Sequence, residues 1–328
     1  MGDPVLYIVI PCYNEEQVLP VTAPMFKAQL ESMISDKLIS EKSRIMFVND
    51  GSTDNTWNLI QSFSQESEYF CGVSLSRNRG HQNALLGGLM TAKDLCDITI
   101  SIDCDGQDDI SVMTEMVKQY HDGCEIVYGV RSKRDTDTFM KKFTAQSYYK
   151  LLRAMGVEVV YNHADYRLVS SRVLDEFSNY KEVNLFLRGM FPLVGFKSTS
   201  VYYERHNRLA GKSHYPFSKS MALAFDGITS LSTKPIRIIT GFGLFVSLLS
   251  FFMIIYIFIG YFLGNTTPGW ASTVSAIGFF SGVQLISLGV IGEYVGKIYL
   301  ESKARPRYII SEKTNNMGKS DEKTDEAN

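Results

Sequence analysis

Between residues 238 and 292 the chain carries not one Asp, Glu, Lys or Arg. Two buried helices of a soluble core explain poorly a stretch this long and this free of charge. A bilayer core asks for about 20 apolar residues per crossing. Residues 236–264 and 271–296 each supply them, joined by the uncharged linker "NTTPGW". Lys234 and Arg237 stand at the start of the first span, and Lys297, Lys303, Arg305 and Arg307 follow the second. Cytoplasmic flanks collect Lys and Arg. The pattern therefore predicts a multi-pass protein of the cell (plasma) membrane with both termini cytoplasmic and the linker outside. The mean hydropathy of −0.04 averages a polar part and an apolar one.

The polar part, residues 1–213, has chemistry of its own. The formal net charge of −2 leaves no basic excess to neutralise a phosphate backbone, which excludes a nucleic-acid partner. Cys12, Cys71, Cys96, Cys104 and Cys124 show neither CxxC nor zinc spacing, and read as reduced cytosolic thiols. The opening "MGDPVLYIVIP" is too short for a leader, lacks a basic flank, and reads as a first strand.

Residues 5–10, 44–49, 71–76, 97–103 and 125–130 are short, β-branched and bounded by turn or polar residues, as strands are. Residues 18–34 and 52–66 are helical in length and pattern, the second with Thr53 or Asp54 as N-cap. Strands alternating with helices predict parallel βαβ units and an α/β sheet buried on both faces. Ligands of such sheets sit at the carboxyl ends of the strands. The clusters "PCYNEE", "VNDGSTD", "LSRNRGHQN" and "DCDGQDD" all fall at those ends. Further on, 140–156 reads as a helix, 164–177 as a strand turning into a helix, and 196–206 as a late strand. Residues 214–235 carry an apolar stripe at helical spacing. Such a helix lies in the membrane interface or packs on the polar domain. Residues 301–328 form a polar tail, low in apolar residues and expected to be disordered from Ser311.

Asp103 and Asp105 are separated by one residue at a predicted strand end. In extended geometry they point to the same side, so the two carboxylates can share a hard divalent cation, Mg²⁺ or Mn²⁺, with substrate phosphates. A polar turn is the competing reading. For Asp108 and Asp109, ahead of "ISVMTEMV", helix capping is the expected role.

The order of the motifs decides between them. "PCYNEE", "VNDGSTDNT" and "DCDGQDD" follow one another as in family 2 glycosyltransferases, which have the GT-A nucleotide-sugar fold, a Rossmann-like α/β domain. "LSRNRGHQNALLGG", "GVRSKR", "ADYRLVSSRV", "EVNLFLRG" and "ERHNRLAGKSHYP" resemble the membrane-bound polyisoprenyl-phosphate members, such as bactoprenol glucosyltransferases and dolichol-phosphate mannose synthase. The resemblance covers about residues 5–300. It implies a nucleotide loop of Pro11, Tyr13, Asn14 and Glu15, with Asp50 reading the uracil edge and Arg77 and the 80–81 turn near base and phosphates. Asp50 has helix capping as its competing role. Asp103 faces ribose or metal, Asp105 binds the metal, and Gln107 shapes the sugar and acceptor site. Asp165 is the candidate catalytic carboxylate, as base or acceptor-orienting group, with a structural pair to Arg167 as its alternative. Arg205, Arg208 and Lys212 would hold the lipid phosphate, with Arg131 and Arg188 as further phosphate contacts.

The implied reaction is inverting transfer from a UDP-sugar to polyprenyl (undecaprenyl) phosphate at the cytoplasmic face, for cell-envelope glycan modification. UDP-glucose is the first choice of donor, with UDP-N-acetylglucosamine or GDP-mannose as alternatives. A homo-oligomer and a flippase partner belong to the same expectation. A non-catalytic scaffold is the alternative of a different class, and intact Asp103, Asp105 and Asp165 argue against it.

Overall fold

The computed structural model describes residues 2–132, 163–183, 185–204, 232–263 and 269–317. The expected helix at 140–156 and nearly all of the amphipathic segment at 214–235 lie outside them. The polar part runs β1 (Leu6–Cys12), α1 (Leu19–Ser35), β2 (Arg44–Asn49), α2 (Thr56–Glu66), β3 (Phe70–Leu75), α3 (His81–Ala92), β4 (Ile98–Ser101), α4 (Val112–His121) and β5 (Ile126–Arg131). It continues with β6 (His163–Ser170), α5 (Ser171–Phe177), the short α6 (Leu187–Met190), a 3-10 turn (Phe191–Val194) and β7 (Ser198–Tyr203). Two long helices, α7 (Lys234–Phe262) and α8 (Trp270–Lys303), precede a last strand, β8 (Ile310–Lys313).

All seven strands read from the sequence are present as β1 to β7, and with β8 they form one sheet in the order β7-β5-β6-β4-β1-β2-β3-β8. Strands β3, β2, β1 and β4 are mutually parallel. Every residue of β1 is buried. Side chains alternate across a strand, so β1 feeds two cores. Leu6, Ile8 and Ile10 pack with Phe26, Phe47 and Ile60 on one face, while Tyr7 and Val9 pack with Leu85, Leu89 and Phe177 on the other. Helix α3 lies close on that second face because of Gly88. A Cβ there would stand 2.5 Å from both Val9 Cγ1 and Val48 Cγ2.

Two departures from the parallel expectation matter. Strand β6 enters antiparallel between β4 and β5, pairing Ser101 with Arg167 and Ile98 with Ser170. It therefore brings its starting residues, Asp165 included, to the edge where β1, β2 and β4 end. The described part of the tail is also structured: β8 pairs antiparallel with β3, and Thr314 N donates to Gly72 O at 2.9 Å. Composition predicted disorder there, but four residues suffice to cover a sheet edge that would otherwise stay open.

Helices α7 and α8 turn large apolar side chains outward: Leu244 is 74% and Phe262 80% exposed. Among the described residues, Phe279–Lys303 is long and apolar enough to cross a membrane by length and composition.

Candidate active site

The loops after the parallel strands hold one another through backbone groups. Asn14 takes a positive φ of 55°. Its side-chain oxygen accepts from Thr53 N at 2.8 Å, and its N–H donates to Ser52 Oγ at 3.0 Å. Glu15 N donates to Thr56 Oγ1 at 2.8 Å, and Tyr13 is exposed. Pro11 pairs in register with Val48. The "YNEE" and "GSTD" segments are thus one unit. Asp50 does not cap α2. Its carboxylate accepts from Arg79 N at 2.7 Å and Gly80 N at 2.9 Å, holding the loop ahead of α3. Gly51, at φ +63°, makes this closeness possible, since a Cβ there would meet the backbone of Arg77 and Asn78 at 2.5 Å. Burial pushes the Asp50 carboxyl up, against the Arg79 and Gly80 amides and the charges of His81 and Arg79. Arg77 is exposed at the rim.

Asp165 is the centre of the site. Arg167 Nη2 donates to Oδ1 at 2.5 Å, Arg188 Nε donates to Oδ1 at 3.2 Å, and Arg188 Nη2 donates to Oδ2 at 2.9 Å. His81 Nε2 lies 3.5 Å from Oδ2, and Gln82 Nε2 donates to the same oxygen at 3.5 Å. Burial raises the Asp165 pKa, but Arg188, His81 and Arg167 outweigh it and hold the carboxyl well below its usual range. His81 also reaches Asp103 Oδ1 at 3.7 Å. Burial pulls the imidazole down, yet the two carboxylates leave it above its ordinary value. Arg167 is fully buried, donates to Leu187 O at 3.3 Å and stacks 4.8 Å over Phe191. The expected pair with Arg167 is present, and Asp165 stands at the same edge as the strand ends.

Asp103 and Asp105 lie beyond β4, which ends at Ser101. Extended-strand geometry therefore does not set their relative position; the chain turns just after them at Gly106, with φ 66°. Asp105 is buried and accepts from Gln107 N at 3.1 Å. Among the described residues no group of three or more His, Cys, Asp or Glu converges on a metal. Two hard carboxylates still fit Mg²⁺ or Mn²⁺, whose other positions go to substrate oxygens and water.

Asp108 is not a helix cap. It is buried, and its Oδ1 accepts from Arg131 Nε at 3.2 Å, Arg131 Nη2 at 3.0 Å and Tyr203 OH at 2.7 Å. Arg131 is thereby engaged one loop away from Asp165. Asp109 behaves as expected of a residue ahead of α4, accepting from Ser111 N at 3.0 Å. Arg205, Arg208 and Lys212 lie outside the described residues. Sequence reading named His81 only as part of a turn, and it passed over Gln82. Their signal was the "GHQ" at the start of α3, whose meaning depends on β6 arriving opposite.

Comparisons with known proteins identify the family of the chain. Residues 7–177 match the family model described as Glycosyl transferase family 2, and residues 234–298 match one described as GtrB C-terminal hairpin. An uncharacterized glycosyltransferase of Bacillus subtilis (strain 168), YkoT, is 50% identical over 309 residues, 94% of this chain and 92% of its own. The bactoprenol glucosyl transferase of Shigella phage SfV is 38% identical over 305 residues, 92% of this chain and 97% of its own. The solved glucosyl-3-phosphoglycerate synthase from Mycobacterium tuberculosis aligns with a TM-score of 0.45 at 17% identity, covering 70% of this chain and 79% of that one. The enzyme class is a glycosyltransferase with a mixed, GT-A-like α/β sheet. Within that class, the chain belongs to glycosyltransferase family 2.

Proposed function

We propose that the chain transfers a hexose, glucose in the first instance, from a UDP-sugar to polyprenyl phosphate at the cytoplasmic face of the membrane. The observation that carries this reading is the 38% identity to the phage SfV bactoprenol glucosyl transferase over 92% of this chain. It runs through both the strand-end site and the helices α7 and α8. In this reading α7 and α8 both cross the bilayer, with the catalytic domain and both termini in the cytoplasm.

The transfer forms a bond between a lipid-phosphate oxygen and the anomeric carbon. It breaks the bond from that carbon to the β-phosphate oxygen, and UDP leaves with the electron pair and the configuration inverted. A divalent ion on Asp103 and Asp105 would neutralise charge on the diphosphate. The loop of Pro11, Tyr13, Asn14 and Glu15, with Asp50 and Arg77, borders the nucleotide, and Gln107 borders the sugar. An acceptor phosphate is ionised at pH 7 and needs little help from a base. Asp165, its carboxyl depressed by its cationic neighbours, is accordingly an orienting anion. It holds Arg188 and His81 toward the acceptor, while Arg205, Arg208 and Lys212 receive the lipid headgroup.

The test supplies membranes carrying the protein with labelled UDP-glucose, UDP-N-acetylglucosamine and GDP-mannose. Label from UDP-glucose entering the organic phase as an acid-labile lipid is expected. Label from another donor corrects the sugar, and none from any donor refutes the reaction.

A further inference from the structure

The end of α8 is fastened to the segment that carries Arg188. Glu301, in the last turn of α8, accepts from Val183 N at 2.7 Å. Just beyond, Arg307 Nη2 donates to Tyr180 O at 2.5 Å. Both contacts are to backbone, so they fix the path of residues 180–183 whatever side chains stand there. Burial pulls Arg307 below its usual range, and the carboxylates of Glu182 and Glu301 are among the groups that oppose this.

From there the chain leads straight into the site. Leu185 N donates to Val183 O at 3.1 Å, and Leu187 N donates to Gln82 Oε1 at 3.1 Å. The next residue is Arg188, on both oxygens of Asp165. The segment rests on a ring stack, with Phe177 4.5 Å from Phe191 and 5.5 Å from Tyr180 between centroids. The loop is thus pinned at one end by the apolar helix and at the other by Asp165. The same C-terminal strap reaches the loop before α3, where Arg79 Nη2 donates to Pro306 O at 3.4 Å and Ser76 N to Ile309 O at 2.9 Å.

We propose that Glu301 and Arg307 are positioning residues that set Arg188 against Asp165, making the end of α8 a structural part of the acceptor side of the site. This rests on the reading of Arg188 as an acceptor contact given above.

Variants of the full chain in nanodiscs test it. Glu301→Gln keeps an oxygen for Val183 N, and Arg307→Lys keeps a donor for Tyr180 O. Glu301→Ala and Arg307→Met keep neither. The Ala and Met variants should raise the KM for polyprenyl phosphate about three- to tenfold, the scale of one lost hydrogen bond. The KM for the sugar nucleotide should stay unchanged, and Gln and Lys should restore most of the loss. In an Arg188→Ala background, Glu301→Ala should add nothing, because the two act through one contact. Amide exchange over 185–190 should quicken in Glu301→Ala and stay slow in Glu301→Gln. Equal shifts in both KM values, a Gln variant as impaired as Ala, or additive effects with Arg188→Ala would overturn the proposal. If the wild-type chain transfers no sugar, the functional reading fails separately. Exchange then decides alone: a selective quickening upholds the clasp, and unchanged exchange overturns it.

Discussion

Asp165 sits among more positive charge than one carboxylate can balance: two guanidinium groups and an imidazole that its surroundings keep protonatable. Removing its charge therefore harms more than catalysis. Asp165→Asn leaves the fully buried Arg167 without a counter-ion, and breaking a buried pair from one side costs about 3–5 kcal/mol. A clear drop in melting temperature in detergent is expected, with transfer reduced about 100-fold or more because Arg188 loses its anchor. The sign of the pH effect follows from the depressed pKa. The stabilisation is whole above the ordinary carboxylate value, about 3.9, and is lost only as pH falls through the lowered one. The stability gap between wild type and Asp165→Asn should accordingly persist at pH 5, and it should be wider there than at pH 8, because the variant also loses the carboxylate that favours protonated His81. Asp105→Ala poses a separate question, about metal. EDTA should abolish wild-type transfer and Mn²⁺ or Mg²⁺ restore it, whereas no concentration of either ion should rescue the variant. Full metal-dependent activity in Asp105→Ala would remove it from the ligand set.

At the scale of elements, helix α3 links the sheet to the site. Its Gly88 lies where β1 and β2 leave no room for a Cβ, while His81 and Gln82 at its start reach Asp165. Gly88→Ala should lift α3 off the sheet, at about 1–3 kcal/mol of overpacking, seen as a lower melting temperature with reduced kcat. An unchanged kcat would mean that α3 does not transmit its position to the site. The same elements show what a linear reading can reach. β1 to β5 were legible because each is a local apolar run, and so were the polar loops that follow them. Asp103, Asp105 and Asp165 came from motif order. Strand β6 pairs with β4 across more than sixty residues, so its antiparallel entry left no local trace. The ring of His81, Gln82 and Arg167 around Asp165 depends on that entry. Asp108 looked like a cap because its partners, Arg131 and Tyr203, are distant in the chain and meet only when β5 and β7 lie side by side.

For the whole molecule, the charge-free stretch and its basic flanks predict which side of the membrane each part occupies. A cysteine at Thr266, in the linker, should react with an impermeant maleimide in intact cells. One at Ser302 should react only after permeabilisation. Labelling of the cysteine at Ser302 but not of the one at Thr266 in intact cells would reverse the orientation and place the nucleotide site away from cytosolic UDP-sugars.

The last strand sets an order of events during synthesis. β3 ends at Leu75, but its neighbour β8 begins at Ile310, after both long helices. At about 5–20 residues per second, ribosomes take roughly 10–50 s to cover that distance. Through that interval the nascent domain offers an open strand edge to every other chain nearby. In the proposed topology, membrane insertion of α7 and α8 is then a folding step of the polar domain too, and a chain stalled at the translocon would hold an unfinished sheet.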